Sequence, residues 1–559
     1  MTGSPTLSFP PARLHLSARG HTLPLHDVAA TRRVEQRHMT LLPPHALMQR
    51  AGIAVARVAL AVAPHARTIW IACGPGNNGG DGLQAGAWLQ AQGKQVLVTP
   101  LQQPDALPDD ARAAYRDAVA AGVRFVDRAP ALLAQDLCID ALLGIGASRA
   151  PSAAMQTCIA AMRRAPCRTL AVDIPTGLHA ETGHWLDGGS AEQCVHADHT
   201  VTLLTLKPGL FTGHGRDASG VLWFDGLGTA PVNAPHAAEA TAWLYGAQLS
   251  AEEAPAPIPE APHASHKGSF GDVCIVGGAA GMTGAAWLAG SAALHSGAGR
   301  VYVGHLGSEA GYGWPELMPR QLPDVSALER LPRATATTAC GCGGGAAIAE
   351  FLPALLEQCP RLVIDADGLN ALAADSSLQA QLRSRAGRQQ WTVLTPHPLE
   401  AARLLGIRAQ EVQANRMAAA GELAERFQCV VVLKGSGTLC AAPAVRAAPS
   451  HGSSTCFMEM AELVDPMASA PLPTLHYAGN ARLATAGTGD VLAGCLAACW
   501  AQLHQASEDV VGTALAQRAA NVAVHLHGWQ ANAWQDETTL TASALAARLP
   551  RYAGTSREA

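Results

Sequence analysis

Short β-type runs alternate with alanine-rich helical stretches twice along this chain, and this alternation constrains the fold more than any other feature. The first series covers residues 25–245 and the second covers residues 266–548. Such alternation is typical of α/β folds built on mainly parallel sheets. With 559 residues the chain is also long for a single hydrophobic core. We therefore predict two α/β domains.

The strands predicted in each series are short apolar runs rich in β-branched residues. In the first series they are Thr68–Cys73, Gln95–Thr99, Leu137–Asp140, Thr169–Asp173 and His199–Leu204. In the second series they are Asp272–Gly277, Arg300–Val303, Leu362–Asp365, Thr392–Thr395 and Val430–Leu433. Residues 246–265 include the run AEEAPAPIPEAPHAS and lack periodicity, which predicts a linker. Residues 446–475 are irregular and predict a surface insertion in the second domain.

Composition excludes several classes of protein. The net charge of −5 argues against a nucleic-acid surface, which would need a basic stripe. No segment reaches the roughly 18 uninterrupted apolar residues of a membrane helix, and the N-terminus does not have the pattern of a secretory signal. The 14 cysteines are scattered and contain no CxxC pair, and the 22 histidines show no metal-binding spacing. We expect reduced thiols and a cytoplasmic protein.

Three polar loops follow predicted strands of the first domain. They are CGPGNNGGDG at 73–82, DALLGIG at 140–146 and VDIPTG at 172–177. Ligands of parallel sheets bind at the carboxyl ends of the strands, so one shared pocket is favoured over three separate solvated turns. Asn78, Asp140 and Thr176 are hard oxygen donors that suit an alkali or alkaline-earth cation.

The second domain ends in the sequence ATAGTGD at 484–490, followed by an apolar run that predicts a helix. Glycines at a helix N-terminus form an anion site, because free N–H groups and the helix dipole favour negative charge. A carboxylate beside bound phosphate is electrostatically unfavourable, so it is expected there only if it has a catalytic role. Asp490 is therefore a candidate general base. A simple helix cap is the alternative. The strand before KGSGT at 434–438 would present Lys434 and backbone N–H groups to a nucleotide phosphate.

The first-domain loops resemble the N-terminal epimerase domain of the bifunctional NAD(P)H-hydrate repair enzymes, and residues 31–52 resemble the leading helix of that family. The resemblance implies a Rossmann-like three-layer sandwich, a bound potassium ion and a substrate that is nicotinamide cofactor hydrated at ring carbon 6. It implies that Asn78, Asp140 and Thr176 hold the potassium ion and that Asp173 is catalytic. The expected substrate contacts are Asn77, Asn78, Gly79, Gly80, Asp81, Gly144, Ile145, Gly146, Ala147, Ser148, Arg149, Ala150 and Asp173. Lys207 also resembles the family pattern, although a surface lysine is an equal alternative.

The second domain resembles the ADP-dependent NAD(P)H-hydrate dehydratase domain, which has a ribokinase-like fold. The resemblance rests on HKGSFGD, VGG…TGAA, DADGLN, TPHPLE, KGSGT and AGTGD, in this order. It implies that ADP binds with Mg²⁺ and that Asp490 is catalytic. The expected hydrate contacts are Ala285, Gly343, Gly345, His397 and Asp490, and the expected nucleotide contacts are Lys434, Gly435, Ser436, Gly437, Thr438 and Gly489. His397 could instead be a turn histidine between two prolines.

Three departures from the family pattern stand out. The glycine loop reads Gly341-Cys-Gly-Gly-Gly345 where the family has GPGLG, Leu399 replaces a glycine, and residues 446–475 are inserted. The function predicted from the resemblance is cofactor repair by epimerisation of R- and S-NAD(P)HX and ADP-dependent dehydration of the S form, giving AMP and phosphate. An ATP-dependent small-molecule kinase with an N-terminal nucleotide-binding module is the alternative, and a first domain that is only a nucleotide-binding or interaction module is a third. We also expect a homo-oligomer with no nucleic-acid or membrane partner.

Overall fold

The structure is a computed structural model that describes residues 10–17, 20–230, 236–249, 263–307, 314–444, 472–506, 512–535 and 537–550. The chain divides into two compact units, the first ending at Glu253 and the second beginning at Ala254, with residues 18–20 grouped with the second. Most of the predicted linker and most of the predicted insertion lie outside the described residues.

The strands of the first unit follow the predicted alternation with helices. They are β1 (Ala12–Arg13), β2 (His15–Leu16), β3 (Thr22–Leu25), β4 (Thr68–Cys73), β5 (Gln95–Pro100), β6 (Arg124–Phe125), β7 (Leu137–Ala141), β8 (Arg168–Val172), β9 (His199–Leu203), β10 (Val221–Asp225), β11 (Ala242–Tyr245) and β12 (Ala247–Gln248). The helices are α1 (Val28–Leu41), α2 (Ala46–Val62), α3 (Asn77–Ala91), α4 (Asp109–Ala120), α5 (Ala153–Arg164) and α6 (Gly215–Ala218).

An eight-stranded sheet in the order β1-β10-β9-β8-β7-β4-β5-β6 forms the centre of the first unit. All of its strand pairs are parallel except β1 with β10. Helices α2, α3 and α4 bury apolar side chains with Ile69 and Ile71 of β4. Trp70 and Ala72 alternate with these two isoleucines along β4 and face the other side of the sheet. There they are buried with Met155, Cys158 and Ile159 of α5. The result is a three-layer sandwich, as expected.

The leading helix expected at 31–52 is wrong as a single element. Helix α1 ends at Leu41 and α2 begins at Ala46. Pro43 and Pro44 lie in the gap, and proline cannot continue a helix because it lacks an N–H and its ring clashes with the preceding turn. The break places α1 and α2 as separate walls of the candidate site described below.

The second unit has a second parallel sheet. Its strands are β13 (Asp272–Gly277), β14 (Arg300–His305), β15 (Met318–Gln321), β16 (Thr337–Cys340), β17 (Arg361–Ile364), β18 (Trp391–Leu394), β19 (Val430–Leu433), β20 (Leu439–Ala441) and β21 (Thr474–His476). Its helices are α7 (Thr283–His295), α8 (Ile348–Gln358), α9 (Asp367–Ala374), α10 (Ser376–Ser384), α11 (Pro398–Leu405), α12 (Ala409–Ala414), α13 (Arg416–Phe427), α14 (Thr488–Ala506), α15 (Thr513–Asn532) and α16 (Ala542–Arg548).

Within the second unit the strand order of this sheet is β15-β14-β13-β16-β17-β18-β19-β20-β21, with parallel pairs up to β19 and antiparallel pairs beyond it. Helix α14 is buried along almost its whole length, and α7 packs closely beside it. Small residues permit this, because a Cβ on Gly494 would fall 1.9 Å from the carbonyl oxygen of Ala289. A buried α14 fixes the position of Asp490 in its first turn. The structure confirms the expected α/β class, with a mainly parallel sheet in each unit.

Candidate active sites

The carboxyl end of the first sheet borders a cavity of about 510 Å³. Its walls come from α1, α2 and the loops that follow β4, β7, β8 and β9. The residues that line it include Thr31, Glu35, Met48, Pro75, Gly76, Asn77, Asn78, Asp81, Asp110, Leu142, Leu143, Gly144, Ile145, Gly146, Ala147, Asp173, Leu203 and Lys207. The three polar loops singled out in the sequence therefore meet at one cavity.

Asp140, Thr176 and Asn78 converge on the segment that follows β7. Asp140 is fully buried, and its carboxylate accepts hydrogen bonds from Thr176 Oγ1 at 2.7 Å and from Thr176 N at 2.8 Å. Thr176 Oγ1 accepts from Leu143 N at 3.0 Å, and Asn78 Nδ2 donates to Leu143 O at 3.1 Å. Burial raises the pKa of Asp140 to about 6, although the bonds from Thr176 oppose the rise. Within the described chain no cationic side chain forms an ion pair with Asp140.

Asp173 lies directly after β8 in a left-handed conformation with φ of 66°. Its carboxylate is paired with Lys207 and also accepts from Leu203 N at 3.1 Å. Lys207 is 1% exposed and donates further bonds to Leu203 O at 2.6 Å and Thr202 Oγ1 at 3.2 Å. Lys207 is therefore not a surface lysine. A strained conformation that is held this firmly is typical of a functional position.

Two more carboxyl groups face the same cavity. Burial raises the pKa of Asp81 well above its usual range, and the nearby Asp173 and Glu35 add to the rise. Burial, followed by Asp173, also raises the pKa of Glu35. Lys207 lowers both pKa values but does not reverse either shift. The cavity therefore contains carboxyl groups that hold protons more tightly than free acids do.

Some expected substrate contacts do not line the cavity. Gly79 and Gly80 are buried at the start of α3, where a Cβ on Gly79 would fall 2.1 Å from Gly74 O. These glycines let the helix start approach the preceding turn. Ser148, Arg149 and Ala150 lie beyond the lining, and the backbone of Arg149 forms an isolated parallel β-bridge with that of Asp187. Their assignment as substrate contacts stays a prediction.

The second site forms where α14 begins at the carboxyl edge of the second sheet. Burial raises the pKa of Asp490 to about 7, and the nearby Asp365 and Asp367 carboxylates add to the rise. Cys342 and Lys434 lower this pKa. A carboxyl group that titrates near neutral pH is suited to general-base catalysis. His527 Nε2 donates to the carbonyl of Thr488 at 2.9 Å and so supports the first turn of the helix.

The partly exposed Lys434 and the buried Asp365 form an ion pair beside Asp490. Lys434 Nζ lies 2.6 Å from Asp365 Oδ1, and Thr395 Oγ1 donates to the same oxygen at 2.7 Å. Burial lowers the pKa of Lys434, but Asp365 and Glu400 outweigh that effect and the net shift is upward. A Cβ on Gly489 would lie 3.4 Å from Lys434 Nζ, so the KGSGT and AGTGD segments are neighbours.

Cys342 contributes a thiol to this site. The polar atoms of Cys342, Asp365 and Asp490 all lie within 4.8 Å of one another, and Cys342 is hydrogen-bonded to Asp490. Burial, followed by the two carboxylates, raises the pKa of the Cys342 thiol well above its usual range, so the thiol is the donor. A metal ion would fit this spacing, but Lys434 already supplies positive charge to Asp365.

His397 begins α11 as its N-terminal cap. Its Nδ1 accepts from Leu399 N at 3.1 Å and Glu400 N at 3.2 Å, while His397 N donates to Glu400 Oε2 at 2.8 Å. The alternative of a structural turn histidine thus has geometric support. Burial raises the pKa of Glu400 to about 7 despite the nearby Lys434. Ala285 and Gly343 are also neighbours, since a Cβ on Gly343 would lie 2.8 Å from Ala285 Cβ.

Sequence reasoning missed several residues of the two sites. Asp365 ends a predicted strand, so the strand-end rule applied to the first domain would have identified it. Glu35 and Cys342 carry no such signal, because their relevance depends on which side of a helix or loop is buried. The same holds for Arg416, which is 1% exposed and contacts the KGSGT loop.

The remaining nucleotide contacts expected from the sequence lie along that loop. Lys434, Gly435, Ser436, Gly437 and Thr438 connect β19 to β20, and Thr438 Oγ1 donates to Gly435 O at 3.2 Å. Gly345 lies in the glycine loop at 341–345, where its N–H donates to Asp367 Oδ2 at 2.8 Å.

Among the helices that the structure describes, none is long and apolar enough to cross a membrane.

Comparison with known proteins identifies the two halves separately. Residues 44–209 match the family described as YjeF-related protein N-terminus, and residues 273–454 match the family described as NAD(P)H-hydrate dehydratase. The chain is 34% identical to the bifunctional NAD(P)H-hydrate repair enzyme Nnr of Escherichia coli, over 82% of this chain and 80% of that protein. It is 34% identical to the same enzyme of Coxiella burnetii, over 86% and 91%.

The chain also resembles a solved structure. It is an ADP/ATP-dependent NAD(P)H-hydrate dehydratase from Bacillus subtilis co-crystallised with ATP/Mg²⁺, with 27% identity and a TM-score of 0.38, covering 52% of this chain and 90% of that one.

Two α/β domains, each with ionisable groups gathered at the carboxyl edge of its sheet, define a two-site enzyme. The similarity to full-length relatives then identifies the family. This chain belongs to the bifunctional NAD(P)H-hydrate repair enzymes, with an epimerase domain followed by a dehydratase domain.

Proposed function

We propose that the chain repairs hydrated nicotinamide cofactors in two steps, each performed at one of its two sites. The first domain interconverts R- and S-NAD(P)HX, and the second dehydrates the S form with ADP, giving NAD(P)H, AMP and phosphate. The observation that best supports this proposal is the arrangement of Asp490, Asp365 and Lys434 at the glycine-rich start of a buried helix.

Asp490 acts as the general base in the dehydration. It takes the proton of the ring hydroxyl while that oxygen attacks the β-phosphorus of ADP, and the bond from the β-phosphorus to the bridging oxygen breaks to release AMP. The phosphorylated oxygen then departs from ring carbon 6 as phosphate with the C–O electron pair. Loss of a proton from the neighbouring carbon restores the double bond, so the water of the hydrate ends in phosphate. The N–H groups of the AGTGD segment stabilise charge on the transferring group.

The nucleotide binds to Lys434–Thr438 and Gly489, and Mg²⁺ accompanies it because the ion prefers phosphate and carboxylate oxygens. Lys434 neutralises phosphate charge in a partly buried setting, where electrostatic attraction is less screened than in water. Ala285, Gly343, Gly345 and His397 are proposed contacts of the hydrate. His397 can serve both as the helix cap and as a contact, since its side chain is 45% exposed.

Asn78, Asp140 and Thr176 hold potassium in the epimerase domain. The donor set fits such an ion, because it combines a carboxylate, an amide oxygen and a hydroxyl on loops that meet at Leu142 and Leu143. Asp140 is fully buried without a described cationic partner, so a monovalent cation would balance its charge. Asp173, oriented by Lys207, exchanges a proton at the hydrate.

A small-molecule kinase remains the nearest alternative from the fold alone. The match of both halves to the repair family favours repair, since a generic kinase has no need of the first domain. A first domain that only binds partners is disfavoured by the ionisable groups that line its cavity.

We also propose domain bounds of 25–245 and 266–548, a homo-oligomer, and a cytoplasmic location. The linker expected at 246–265 begins after β12, which ends at Gln248 and pairs with β2 of the first unit. Separately expressed pieces of about 1–249 and 260–559 should each keep one activity, as expected for domains joined by a proline-rich linker. Insolubility of both pieces would contradict this division.

The decisive experiment is incubation of the purified protein with NADHX while the near-ultraviolet absorbance of the reduced ring is followed. We expect this absorbance to recover with ADP and not to recover without a nucleotide. A parallel incubation with ATP shows which nucleotide the enzyme prefers. Addition of R-NADHX alone should lead to full recovery only when the first domain is present. Phosphorylation of an unrelated alcohol with ATP, without cofactor recovery, would instead support the kinase.

A further inference from the structure

Arg416 is a buried arginine at the first position of α13, directly behind the KGSGT loop. It is 1% exposed. Its Nη2 donates to Leu433 O and Lys434 O, each at 3.1 Å, and to Gly437 O at 3.4 Å. Its Nη1 donates to the Gln413 side chain at 2.7 Å. All these partners are neutral, and within the described chain no carboxylate pairs with the guanidinium.

Such a position is unfavourable for a cation in the absence of an anion. Burial lowers the pKa of Arg416 to about 10, so the group remains charged at neutral pH. The first turn of a helix carries the positive end of the dipole, which repels a cation. Buried charges in proteins are ordinarily paired with an opposite charge. Burial among neutral partners does not by itself indicate a ligand, but an anion bound on the loop that Arg416 contacts would stabilise this charge.

The bonds of Arg416 also determine what the loop presents. Because the carbonyl groups of Leu433, Lys434 and Gly437 point to the guanidinium, the loop is held in one orientation. In the described part of the chain, the N–H groups of Gly435 and Gly437 have no hydrogen-bond acceptor. A curved loop with unsatisfied N–H groups and a positive charge behind it is a common anion-binding arrangement.

Gly435 is required for this arrangement. Its φ is 138°, which side chains rarely adopt, and a Cβ would fall 2.9 Å from Arg416 Nη1. The loop thus passes directly over the guanidinium, and no side chain separates the two.

We propose that Arg416 is a positioning residue for the nucleotide. It orients the KGSGT loop, and its positive charge, which no carboxylate of the described chain neutralises, attracts the phosphate groups of a nucleoside diphosphate. The inference rests on the proposed ADP-dependent function and deepens it, because it assigns the recognition of phosphate to a residue that need not touch the ligand.

Arg385 provides a matched control. It is also 1% exposed, and burial also lowers its pKa to about 10. It donates to the carbonyls of Leu356 and Cys359 and to Thr392 Oγ1, all of them remote in sequence from the KGSGT loop. The variant Arg385→Met therefore measures how much stability is lost when a buried arginine that only supports the fold is removed.

The test compares Arg416→Met, Arg416→Lys and Arg385→Met in the full-length protein. We expect Arg416→Met to raise the KM for ADP roughly 10- to 100-fold, the scale of a lost charge-assisted interaction, with kcat and epimerisation nearly unchanged. Arg416→Lys keeps the charge but loses the fork of donors, so its KM should lie between those of the wild type and Arg416→Met. Arg385→Met should lower the Tm and leave the KM for ADP within about twofold of the wild type, since it only supports packing.

Two further readouts separate the inference from a purely structural role. ADP should raise the Tm of the wild type and of Arg385→Met, and the rise should shrink in both Arg416 variants. If Arg416→Met fails to fold, a wild-type KM in Arg416→Lys together with a wild-type ADP-induced rise in Tm would overturn the proposal. Equal KM changes in Arg385→Met and Arg416→Met would also overturn it. Calorimetric titration with ADP distinguishes nucleotide binding from the proposed dehydration. A wild type that binds ADP without dehydrating NADHX would refute only the proposed reaction.

Discussion

Both sites place a lysine–aspartate pair at the carboxyl edge of a parallel sheet, yet the two lysines differ in what they leave for a ligand. Lys207 is 1% exposed and is bound by Asp173, Thr202 Oγ1 and Leu203 O. The Lys434 side chain is 19% exposed, is paired with Asp365 and borders Gly489. The ammonium of Lys207 has its three donors occupied by protein, so it orients Asp173. The partly exposed ammonium group of Lys434 can still donate hydrogen bonds to a ligand.

The carboxyl groups around the two pairs sharpen this contrast. In the first site, Asp81 and Glu35 have raised pKa values and share one lysine with Asp173. In the second site, Asp490 lies at a helix N-terminus, and its pKa is raised to about 7 by burial and by Asp365. Proton exchange with a bound hydrate suits the first arrangement, and proton removal next to a polyphosphate suits the second.

The largest expected effect is on the first site. Asp140→Ala should abolish conversion of R- to S-NADHX, because the proposed cation ligand is lost, while S-NADHX dehydration continues. The measurement is recovery of reduced cofactor from each epimer separately.

Asp225→Ala is the matched control for this variant. Asp225 is also buried at the end of a strand, and burial also raises its pKa to about 6. It is not among the proposed potassium ligands, so epimerisation should persist. Loss of epimerisation in both variants, or loss of dehydration in Asp140→Ala, would contradict a separate cation-dependent site.

The second expected effect is on catalysis by Asp490. Asp490→Asn should bind ADP nearly normally but lose roughly 100-fold or more in kcat, the usual scale for a general base. Asn caps a helix as well as Asp does, so a cap alone predicts almost no change. A kcat close to the wild type in Asp490→Asn would assign the residue to capping. Epimerisation serves as the internal control for folding.

The sequence was most informative where strands end. The predicted strands Thr68–Cys73, Asp272–Gly277 and Val430–Leu433 have the observed bounds, because apolar β-branched runs between glycines and helices are unambiguous. The strand Thr337–Cys340 was missed, since its alanine- and threonine-rich sequence resembles its surroundings. The candidate site residues on strand-end loops were selected from the same pattern that located the strands, and their roles stay predictions.

Residues that matter through burial could not be predicted from a single sequence. Arg416 reads as an ordinary charged residue at a helix start until β19 and its loop cover it. Cys342 reads as a substitution in a glycine loop, and only the fold brings its thiol to Asp490. The continuous leading helix was wrong because family similarity was given more weight than Pro43 and Pro44.

The comparison of the two lysines predicts different kinds of loss. Lys434→Ala should raise the KM for ADP roughly 10- to 100-fold and leave epimerisation unchanged, because its lost interaction is with the nucleotide. Lys207→Ala should lower the stability of the first domain by about 3–5 kcal/mol, since it leaves Asp173 without its buried partner. Steady-state kinetics and thermal unfolding measure both. Equal damage to both activities by Lys434→Ala would refute the two-site description.

The smallest expected effect concerns Cys342 and the pH dependence of dehydration. Asp490 must be ionised to accept a proton, so kcat/KM should fall as the pH drops through about 7. Burial, Asp365 and Asp367 raise this pKa, whereas the hydrogen bond from Cys342 and the charge of Lys434 lower it. Cys342→Ala removes one lowering influence, so the acid limb should move to higher pH, by roughly 0.4–1 unit for a hydrogen bond of ordinary strength. Cys274→Ala, which removes another buried thiol of this domain, should leave the limb in place. An unmoved limb in Cys342→Ala, or a shift to lower pH, would show that the thiol does not act on Asp490.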